Sequence, residues 1–592
     1  MASSLQTSSS DRSRFAFLVR WMPALLGMLA FLAVVAFVDV ADDVSWSGDG
    51  PGLTTDEGIN VEGGVFIVES VFTVGLAAVH PLTVFEIFNS PEYFPDYPPL
   101  GRVPLGLTNA LLMRVLGPEE RGYYVLTYAR VASALQFGLL VWLIAAFCRR
   151  QFGNAAAFAG GISLILMPRV FGHAHIASVE TMMNLTYSLC VLGTASSLAD
   201  RPSLTWRDGL WPGFLLGLAL LTKMQAIFLP PVLVVWYVMH WRWQGLRAVT
   251  VVAAVSAATF LLFWPWLWAD PFGRSLQYFA QSTDRAQLYC YYLGERFADR
   301  DVPWHYPWVM FLVTTPLVSL LLGIFGGVSL IVGPLRRLKT TDHAGWNSAR
   351  FRIGTLLFGA WLLPLLAFSL PGTTVYDGAR LFLVVWPVFA VWIGAGVQCL
   401  WDCTARDMPA SSAKGVAPKT QQSSMPWPRI VATLVVAVGA GFPLWSSVQL
   451  HPLQLSYYSE VIGGLAGAEK LGMERTYWGD SLTPAFLRET SPQLPDGARV
   501  AVTPVMHHLV LDFMRQNSWL RHRPDLELVP FTDEMNESLE QGNAADLDVA
   551  AILVEMRLAE LRTSLQDSAM SDPPTAAVER DGVTLSKLLL LP

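Results

Sequence analysis

Residues 21–40 are WMPALLGMLAFLAVVAFVDV, and residues 54–60, a short distance further on, are TTDEGIN. The first stretch is long enough to cross the ~30 Å hydrocarbon core of a bilayer as a helix. The second stretch places Asp56 and Glu57 just beyond the end of that apolar run. Runs like the first recur along the chain and predict its fold, whereas the acidic pair is the predicted centre of its chemistry.

The composition excludes an ordinary soluble protein. Of 592 residues, 53% are hydrophobic and 15% are charged, whereas soluble domains carry about 25% charge. Lipid offers no partner for an exposed backbone amide, so long apolar runs must form helices. Eleven such runs predict a polytopic α-helical membrane protein with about 11 transmembrane helices, near residues 20–40, 124–147, 154–171, 180–198, 209–222, 225–241, 248–268, 307–333, 353–370, 381–400 and 429–447.

The loops between the runs alternate in charge. One set is basic and is expected to face the cytoplasm; it holds Arg149 and Arg150, Arg201 and Arg207, Arg242 and Arg247, Arg336, Arg337 and Lys339, Arg350 and Arg352, and the 404–428 linker. This pattern predicts a cytoplasmic tail at 1–20, a transmembrane domain at 21–447 with a large external loop at 41–123, and a C-terminus outside. The predicted location is the inner (plasma) membrane.

The hydropathy changes after residue 448. Short alternating stretches such as 498–502, 526–529 and 583–591 are typical of strands, and residues 507–517 of a helix. We therefore expect residues 448–592 to form a non-cytoplasmic C-terminal α/β domain. The motif-like segment 451–480 is rich in aromatic residues, and docking this domain onto the membrane body is its expected role.

The predicted external side gathers charged residues that are costly near a membrane and are usually functional there. The acids are Asp56, Glu57 and Glu180, preceded by His173 and His175, and the cations are Arg102, Arg130, Lys223 and Arg380. In an inverting sugar transfer from a phosphate-linked donor, one carboxylate takes the proton of the acceptor hydroxyl. Fixed cations stabilise the charge that grows on the departing phosphate.

Most of these residues also have a structural interpretation. Asp56 resembles an N-cap, Glu180 could pair with His175, and Arg130 and Arg380 stand at helix starts, where snorkelling to headgroups is usual. Lys223 is different, since a cation at an external turn breaks the positive-inside pattern.

A metal site receives little support from the sequence. His173, His175 and Glu180 have suitable ligand types, but their spacing matches no helical zinc signature. The five cysteines show no disulfide framework or metal set. No cofactor or nucleic-acid partner is predicted, and a divalent metal stays an unsupported alternative.

Several motifs, in order along residues 20–450, resemble the protein O-mannosyltransferase and aminoarabinose transferase-like group of membrane glycosyltransferases. They are Thr55-Asp56-Glu57, Tyr97-Pro98-Pro99-Leu100-Gly101-Arg102, Ala129-Arg130-Val131-Ala132, Gly217-Leu218-Ala219-Leu220-Leu221-Thr222-Lys223 and Asp377-Gly378-Ala379-Arg380. The sequence has Glu180 where that group more often has Asp, and Arg102 where it usually has Lys.

The resemblance implies a GT-C fold and a hexosyl- or pentosyltransferase that uses a sugar linked to a polyprenyl phosphate or a polyprenyl diphosphate. It implies Asp56 as general base, Arg130 and Arg380 as donor-phosphate ligands, Lys223 and Arg102 in support, and Glu180 as a second acid. Glu57 would orient the loop or meet the acceptor, which is a protein, lipid or glycan.

Three other functions make different predictions about the sequence. A transporter or flippase of polyprenyl-linked sugars predicts mid-helix charges and inverted repeats, and neither is clear in the sequence. An oligosaccharide-transferring ligase would usually carry a Trp-Trp-Asp tripeptide, which is absent from the sequence. A non-enzymatic assembly protein predicts that the external charged residues tolerate substitution.

Overall fold

The computed structural model describes residues 9–117, 122–281, 287–336, 348–406, 427–504, 507–566 and 576–592. Most of the predicted 404–428 linker, the first eight residues of the predicted tail, and Arg337 and Lys339 lie outside these ranges. Up to residue 450 the described chain is mainly helical, with α1 (Ser9–Val35), α2 (Thr55–Val74), α3 (Pro81–Phe88), α4 (Val103–Leu116), α5 (Leu126–Gln151), α6 (Asn154–Ile165), α7 (Pro168–His173), α8 (Val179–Leu198), α9 (Leu210–Leu220), α10 (Leu229–Leu262), α11 (Pro271–Gln281), α12 (Tyr306–Thr314), α13 (Leu317–Arg336), α14 (Ala349–Ala367), α15 (Val385–Arg406) and α16 (Trp427–Leu450).

All eleven predicted apolar runs fall on these helices, so the polytopic helical class is confirmed. Two runs share α10, where the backbone leaves helical geometry at Arg242 (φ 50°, ψ −122°). By length and composition, five helices among the described residues suit a membrane crossing, and the pair α12–α13, bent by 114°, makes six if it is one span. The remaining runs form helices that are shorter or more polar than such a crossing requires.

The predicted external loop 41–123 contains three helices, α2 to α4. Helix α2 itself is apolar and long enough to be one of the five candidate spans. It packs closely on α4 through Gly64 and Gly106, since a Cβ at Gly106 would lie 2.1 Å from the carbonyl oxygen of Gly64. This close approach fixes the position of the first turn of α2, which carries Asp56 and Glu57.

The chain is broken around Lys223, as the sequence predicts. Helix α9 ends at Leu220, Lys223 is extended (φ −161°, ψ 156°), and a 3-10 turn over Met224–Phe228 leads into α10. Because Lys223 is outside helical geometry, its side chain reaches inward and is buried.

Beyond the helical body lie two sheets. A hairpin pairs β1 (Tyr289–Tyr292) with β2 (Glu295–Ala298). The C-terminal region holds β3 (Arg499–Thr503), β4 (Glu527–Pro530), β5 (Ala551–Glu555), β6 (Ala576–Arg580) and β7 (Val583–Leu590), with helices α17 (Gly464–Lys470), α18 (Pro484–Thr490), α19 (His508–Asn517), α20 (Asp533–Glu540) and α21 (Thr563–Gln566). Its strand order is β4-β3-β5-β7-β6, with β4, β3 and β5 parallel and β7 antiparallel to both neighbours. The predicted α/β character is confirmed.

Segment 451–480 joins this sheet to the helical body. Nε of Arg169, on α7, donates to the carbonyl of Tyr457 (2.9 Å), and its guanidinium lies over the ring of Tyr458. Tyr477 and Trp478 are almost fully buried. These aromatic residues therefore pack at the junction, in agreement with the expected docking role.

Candidate active site

Glu57 and Arg130 form a closed ion pair beneath the first turn of α2. Nε of Arg130 donates to Oε1 of Glu57 (2.7 Å) and Nη2 to Oε2 (2.8 Å), and both side chains have no exposed surface. Oε2 of Glu57 also accepts from the N–H of Thr54 (3.0 Å), and Oε1 from that of Ala177 (2.7 Å). Glu57, rather than Asp56, therefore makes the capping contact at the start of α2.

Arg130 does not face a space for substrate. Its remaining contacts are with the carbonyls of Pro51 and Gly52, both at 2.8 Å. The donor-phosphate role that the resemblance implied for Arg130 stays a prediction, and this arrangement does not support it, because neither Arg130 nor its partner Glu57 has any exposed side-chain surface. Its surroundings instead favour holding the loop before α2 and the carboxylate of Glu57.

Arg102 is likewise occupied elsewhere. Nη1 and Nη2 donate to the two carboxylate oxygens of Asp96 (2.6 and 2.8 Å), and Nε donates to Oδ1 of Asn60 (3.2 Å). Its guanidinium also lies over the ring of Tyr97. This bidentate pair orders loop 94–102, so a direct phosphate contact from Arg102 is not supported either.

Three other predicted residues, Asp56, Glu180 and Lys223, come together around Arg380, which precedes α15. Nη2 of Arg380 lies 2.8 Å from Oδ2 of Asp56, and Nε lies 3.2 Å from Oε1 of Glu180. Nζ of Lys223 donates to the same Glu180 oxygen at 2.7 Å. We call Asp56, Glu180, Lys223, Asp377 and Arg380 the Arg380 network.

The network has one open edge. The Asp56 side chain is 35% exposed, whereas those of Glu180, Lys223 and Arg380 are at most 5% exposed. Oε2 of Glu180 is buried and has no hydrogen-bond partner among the described residues. Asp56 is therefore the carboxylate of this network that solvent or a substrate hydroxyl can reach.

Two contacts of Arg380 were not anticipated from the sequence. Nη1 donates to Oδ2 of Asp377 (3.0 Å), and Cζ lies 4.5 Å from the ring centroid of Trp478. Oδ1 of Asp377 accepts from Nη2 of Arg557 at 2.9 Å. Burial raises the pKa of Asp377 above its ordinary value, against the opposing effect of Arg557 and Arg380. The motif around Asp377 was visible in the sequence, but nothing there linked it to Arg557.

The two histidines do not form a ligand set with Glu180. Nε2 of His173 lies 3.2 Å from the hydroxyl of Tyr477, and Nδ1 of His175 lies 2.9 Å from the carbonyl of Phe171. Among the described residues, no group of three or more His, Cys, Asp or Glu side chains is arranged to hold a metal ion. The alternative pairing of His175 with Glu180 does not occur.

A cleft of about 660 Å³ adjoins Lys223. Its polar lining includes Lys223, Tyr97 and Arg300, and its apolar lining is formed by Met224, Ile227, Phe228, Phe368 and Leu381. Lys223, Gln225 and Leu381 also line a small pocket that contains Glu180 and Arg380. Lys223 thus lines both the larger cleft and the small pocket of the Arg380 network. We call the larger cleft, of about 660 Å³, the apolar cleft.

Part of the sequence that forms this site is similar to a known family. Residues 120–268 match the sequence profile of the family described as dolichyl-phosphate-mannose-protein mannosyltransferase. The match contains Arg130, Glu180 and Lys223, and it confirms the resemblance noted in the sequence for this part of the chain. No curated protein sequence matches the chain.

Two solved structures are similar to the chain at low sequence identity. ArnT from Cupriavidus metallidurans bound to undecaprenyl phosphate is 15% identical, with a TM-score of 0.43 and coverage of 97% of this chain and 98% of that chain. AglB, the oligosaccharyltransferase from Archaeoglobus fulgidus, in complex with an inhibitory peptide and a dolichol-phosphate, is 11% identical, with a TM-score of 0.47 and coverage of 91% and 70%.

Proposed function

We propose that this multi-pass membrane protein transfers a sugar from a polyprenyl-phosphate donor to an acceptor hydroxyl on the non-cytoplasmic face. The carrying observation is the Arg380 network, in which an exposed carboxylate, Asp56, is paired with a buried cation, Arg380, next to Lys223. The family match over residues 120–268 supports a lipid-linked mannosyl-type donor. The ArnT and AglB structures contain undecaprenyl phosphate and a dolichol-phosphate, respectively, which are ligands of this kind.

The apolar cleft suits the lipid part of such a donor. Its wall of Met224, Ile227, Phe228 and Phe368 would bury the first isoprene units, and its polar end at Lys223 would meet the phosphate. Burial of apolar surface is favourable by roughly 25 cal/mol per Å². A charged phosphate is costly to desolvate unless it is paired, so a cleft that combines apolar walls with the buried cation of Lys223 matches both halves of the molecule.

The proposed reaction is a single displacement with inversion at the anomeric carbon. The acceptor oxygen forms a bond to that carbon as the bond to the phosphate oxygen breaks, and the electron pair leaves on the polyprenyl phosphate. Asp56 takes the proton of the acceptor hydroxyl, and Arg380 and Lys223 stabilise the charge on the departing phosphate.

The Asp56–Arg380 pair suggests how donor binding prepares the base. A phosphate that reaches Arg380 would replace the carboxylate of Asp56 as its partner, since guanidinium binds both groups well. Asp56 would then be free to accept the hydroxyl proton. Buried Glu180 would hold Lys223 and Arg380 in place, and the closed pairs of Arg102 and Arg130 would fix the loops around them.

The location and the finer substrate class belong to the same proposal. The basic loops favour a cytoplasmic N-terminus in the plasma (inner) membrane, with residues 448–592 outside. The transferred group is a hexose or pentose, and the acceptor is a protein, lipid or glycan hydroxyl.

Asp56→Asn tests the proposed reaction. Purified protein is supplied with a panel of polyprenyl-phosphate-linked hexoses and pentoses, together with acceptor membranes from cells that lack the chain, and release of polyprenyl phosphate is measured. We expect the variant to lose turnover by about 10²–10⁴-fold, the usual contribution of a general base. Its stability should stay near that of the original protein.

Asp49→Asn is the matched control, because Asp49 has similar exposure (32%) and pairs with Arg488 away from the Arg380 network. Near-normal transfer by Asp56→Asn would overturn the mechanism. Movement of the donor across vesicles without sugar release would favour the transporter instead.

A further inference from the structure

The C-terminal domain contacts Arg380 through a second arginine. Arg557 lies just after strand β5, and its Nη2 donates to Oδ1 of Asp377 at 2.9 Å. The other oxygen of Asp377 accepts from Arg380 at 3.0 Å. The side chains of Arg557 and Asp377 are each only 7% exposed. Asp377 therefore joins a cation of the extramembrane sheet to the central cation of the site.

The backbone at Asp377 is held in an unusual conformation. Asp377 has φ +53°, and the next residue, Gly378, has φ +62°. The left-handed region is unfavourable for a residue with a Cβ and persists where the surroundings hold it. Here it places the two carboxylate oxygens between two guanidinium groups.

Segment 451–480 holds the same site from another side. The ring of Trp478 lies under the guanidinium of Arg380, and the carbonyl of Trp478 accepts from the N–H of Thr55 at 3.4 Å. The carbonyl of Asp480 accepts from the N–H of Gly52 at 2.7 Å. The C-terminal region therefore contacts Arg380 directly through Trp478, and it also contacts the residues that precede Asp56.

The carboxylates around Arg380 outnumber its single positive charge, and Arg557 compensates one of them. Three carboxylates, those of Asp56, Glu180 and Asp377, lie within 3.2 Å of Arg380. Lys223 shares the charge of Glu180, and Arg557 shares the charge of Asp377. An arginine that is surrounded by uncompensated carboxylates has little attraction left for an incoming anion.

We infer that Arg557 is a positioning residue, which neutralises Asp377 so that Arg380 remains available to the donor phosphate. This inference rests on one part of the proposed function, namely that a lipid phosphate binds to Arg380. Without Arg557, Asp377 would draw Arg380 towards itself and compete with the phosphate. The extramembrane domain would then be part of the phosphate site, although Arg557 itself touches no substrate.

The test compares Arg557→Gln with the double variant Arg557→Gln/Asp377→Asn. The readout is the Kd of the purified full-length protein for undecaprenyl phosphate alone, so no turnover is required. We expect Arg557→Gln to weaken binding by about tenfold. The double variant should recover to within about threefold of the original Kd, because the uncompensated carboxylate is gone.

Turnover provides a second readout. Arg557→Gln should raise the KM for the donor and leave kcat nearly unchanged, and Arg557→Lys should retain part of the affinity. Arg562→Gln is the matched control, since Arg562 belongs to the same domain but is 46% exposed and pairs with Asp533. If Arg557→Gln fails to fold, Asp377→Asn alone is informative, and it should bind undecaprenyl phosphate at least as tightly as the original protein.

Three results would overturn the inference: unchanged binding in Arg557→Gln, a double variant that binds as weakly as the single variant, or much weaker binding in Asp377→Asn. A protein that binds no undecaprenyl phosphate would overturn it as well. Binding shifts as expected without any sugar release would support the role of Arg557 and refute the proposed transferase reaction.

Discussion

Asp56 and Glu57 are neighbours in the chain, yet the structure gives them opposite surroundings. Successive residues of an α-helix point about 100° apart, so one carboxylate of α2 faces inward and the other faces the Arg380 network. Glu57 is fully buried and accepts four hydrogen bonds, whereas Asp56 is 35% exposed and has one ion-pair contact, with Arg380. The buried Glu57–Arg130 pair is suited to holding the loop before α2, whereas the partly exposed Asp56–Arg380 pair is suited to exchanging its partner.

The largest effect that tests this comparison is expected for Glu57→Gln. The change leaves Arg130 buried without its counter-charge, which costs about 3–5 kcal/mol of unfolding free energy. Asp56→Asn should cost no more than about 1 kcal/mol, because its ion pair is partly exposed. Thermal unfolding of the purified proteins, followed by tryptophan fluorescence, measures both.

Glu69→Gln serves as the control for Glu57→Gln, since Glu69 forms an exposed pair with Arg114. Equal losses of stability in Glu57→Gln and Asp56→Asn would remove the distinction between a closed and an open pair.

A smaller effect should show whether the open pair serves a lipid-linked donor. Ile227→Ala trims the wall of the apolar cleft, and we expect it to weaken binding of undecaprenyl phosphate about threefold to tenfold. A ten-carbon polyprenyl phosphate, which contacts less of the wall, should show a weaker dependence. Val235→Ala is the matched truncation on α10, at an exposed position that does not line the cleft. Equal losses for both chain lengths would place the lipid elsewhere.

A pH-dependent effect concerns two buried carboxylates of the C-terminal region, Glu474 and Asp480. Burial raises the pKa of Glu474 to about 8 and, together with the nearby charge of Glu555, that of Asp480 to about 7. The folded state therefore holds these protons more tightly than the unfolded state, in which the pKa values are ordinary. The resulting stabilisation is complete below about pH 4 and is lost as the pH rises through 7 to 8.

Hydrogen exchange of β3 and β5, corrected for intrinsic rates, should thus show less protection at pH 8 than at pH 6. Asp480→Asn should reduce this difference. A pH-independent protection pattern, or an increase in protection with pH, would contradict the assigned burial of these groups.

Much of the architecture could be predicted from local pattern. The eleven apolar runs are helices because lipid leaves their backbone groups no other partner, and the break at Lys223 follows from polar residues between two short runs. Strands β3, β4 and β7 were recognisable from their alternation, whereas β6 was not predicted. Of the predicted site residues, Asp56, Glu180, Lys223 and Arg380 meet in one network.

The positions of the charged residues in the sequence did not predict which of them form ion pairs with one another. Arg102 and Arg130 seemed suited to a phosphate, but Asp96 and Glu57 occupy them. Arg557, far along the chain and in another domain, had no local signal that linked it to Asp377 and hence to Arg380. An arginine pairs with whichever carboxylate the fold brings within hydrogen-bond distance, and that depends on long-range packing.

The sequence by itself determined that this protein has a helical membrane body with an α/β appendage, and it predicted Asp56, Glu180, Lys223 and Arg380 as members of its candidate site. Those properties follow from the free-energy cost of placing unpaired backbone amides or charges in lipid. Each segment avoids that cost through its own local structure. Only the tertiary structure decided which of the two adjacent acids is closed and which is open. Burial and counter-charge come from Arg130, Arg380 and Trp478, which are distant in sequence and adjacent only in the folded chain.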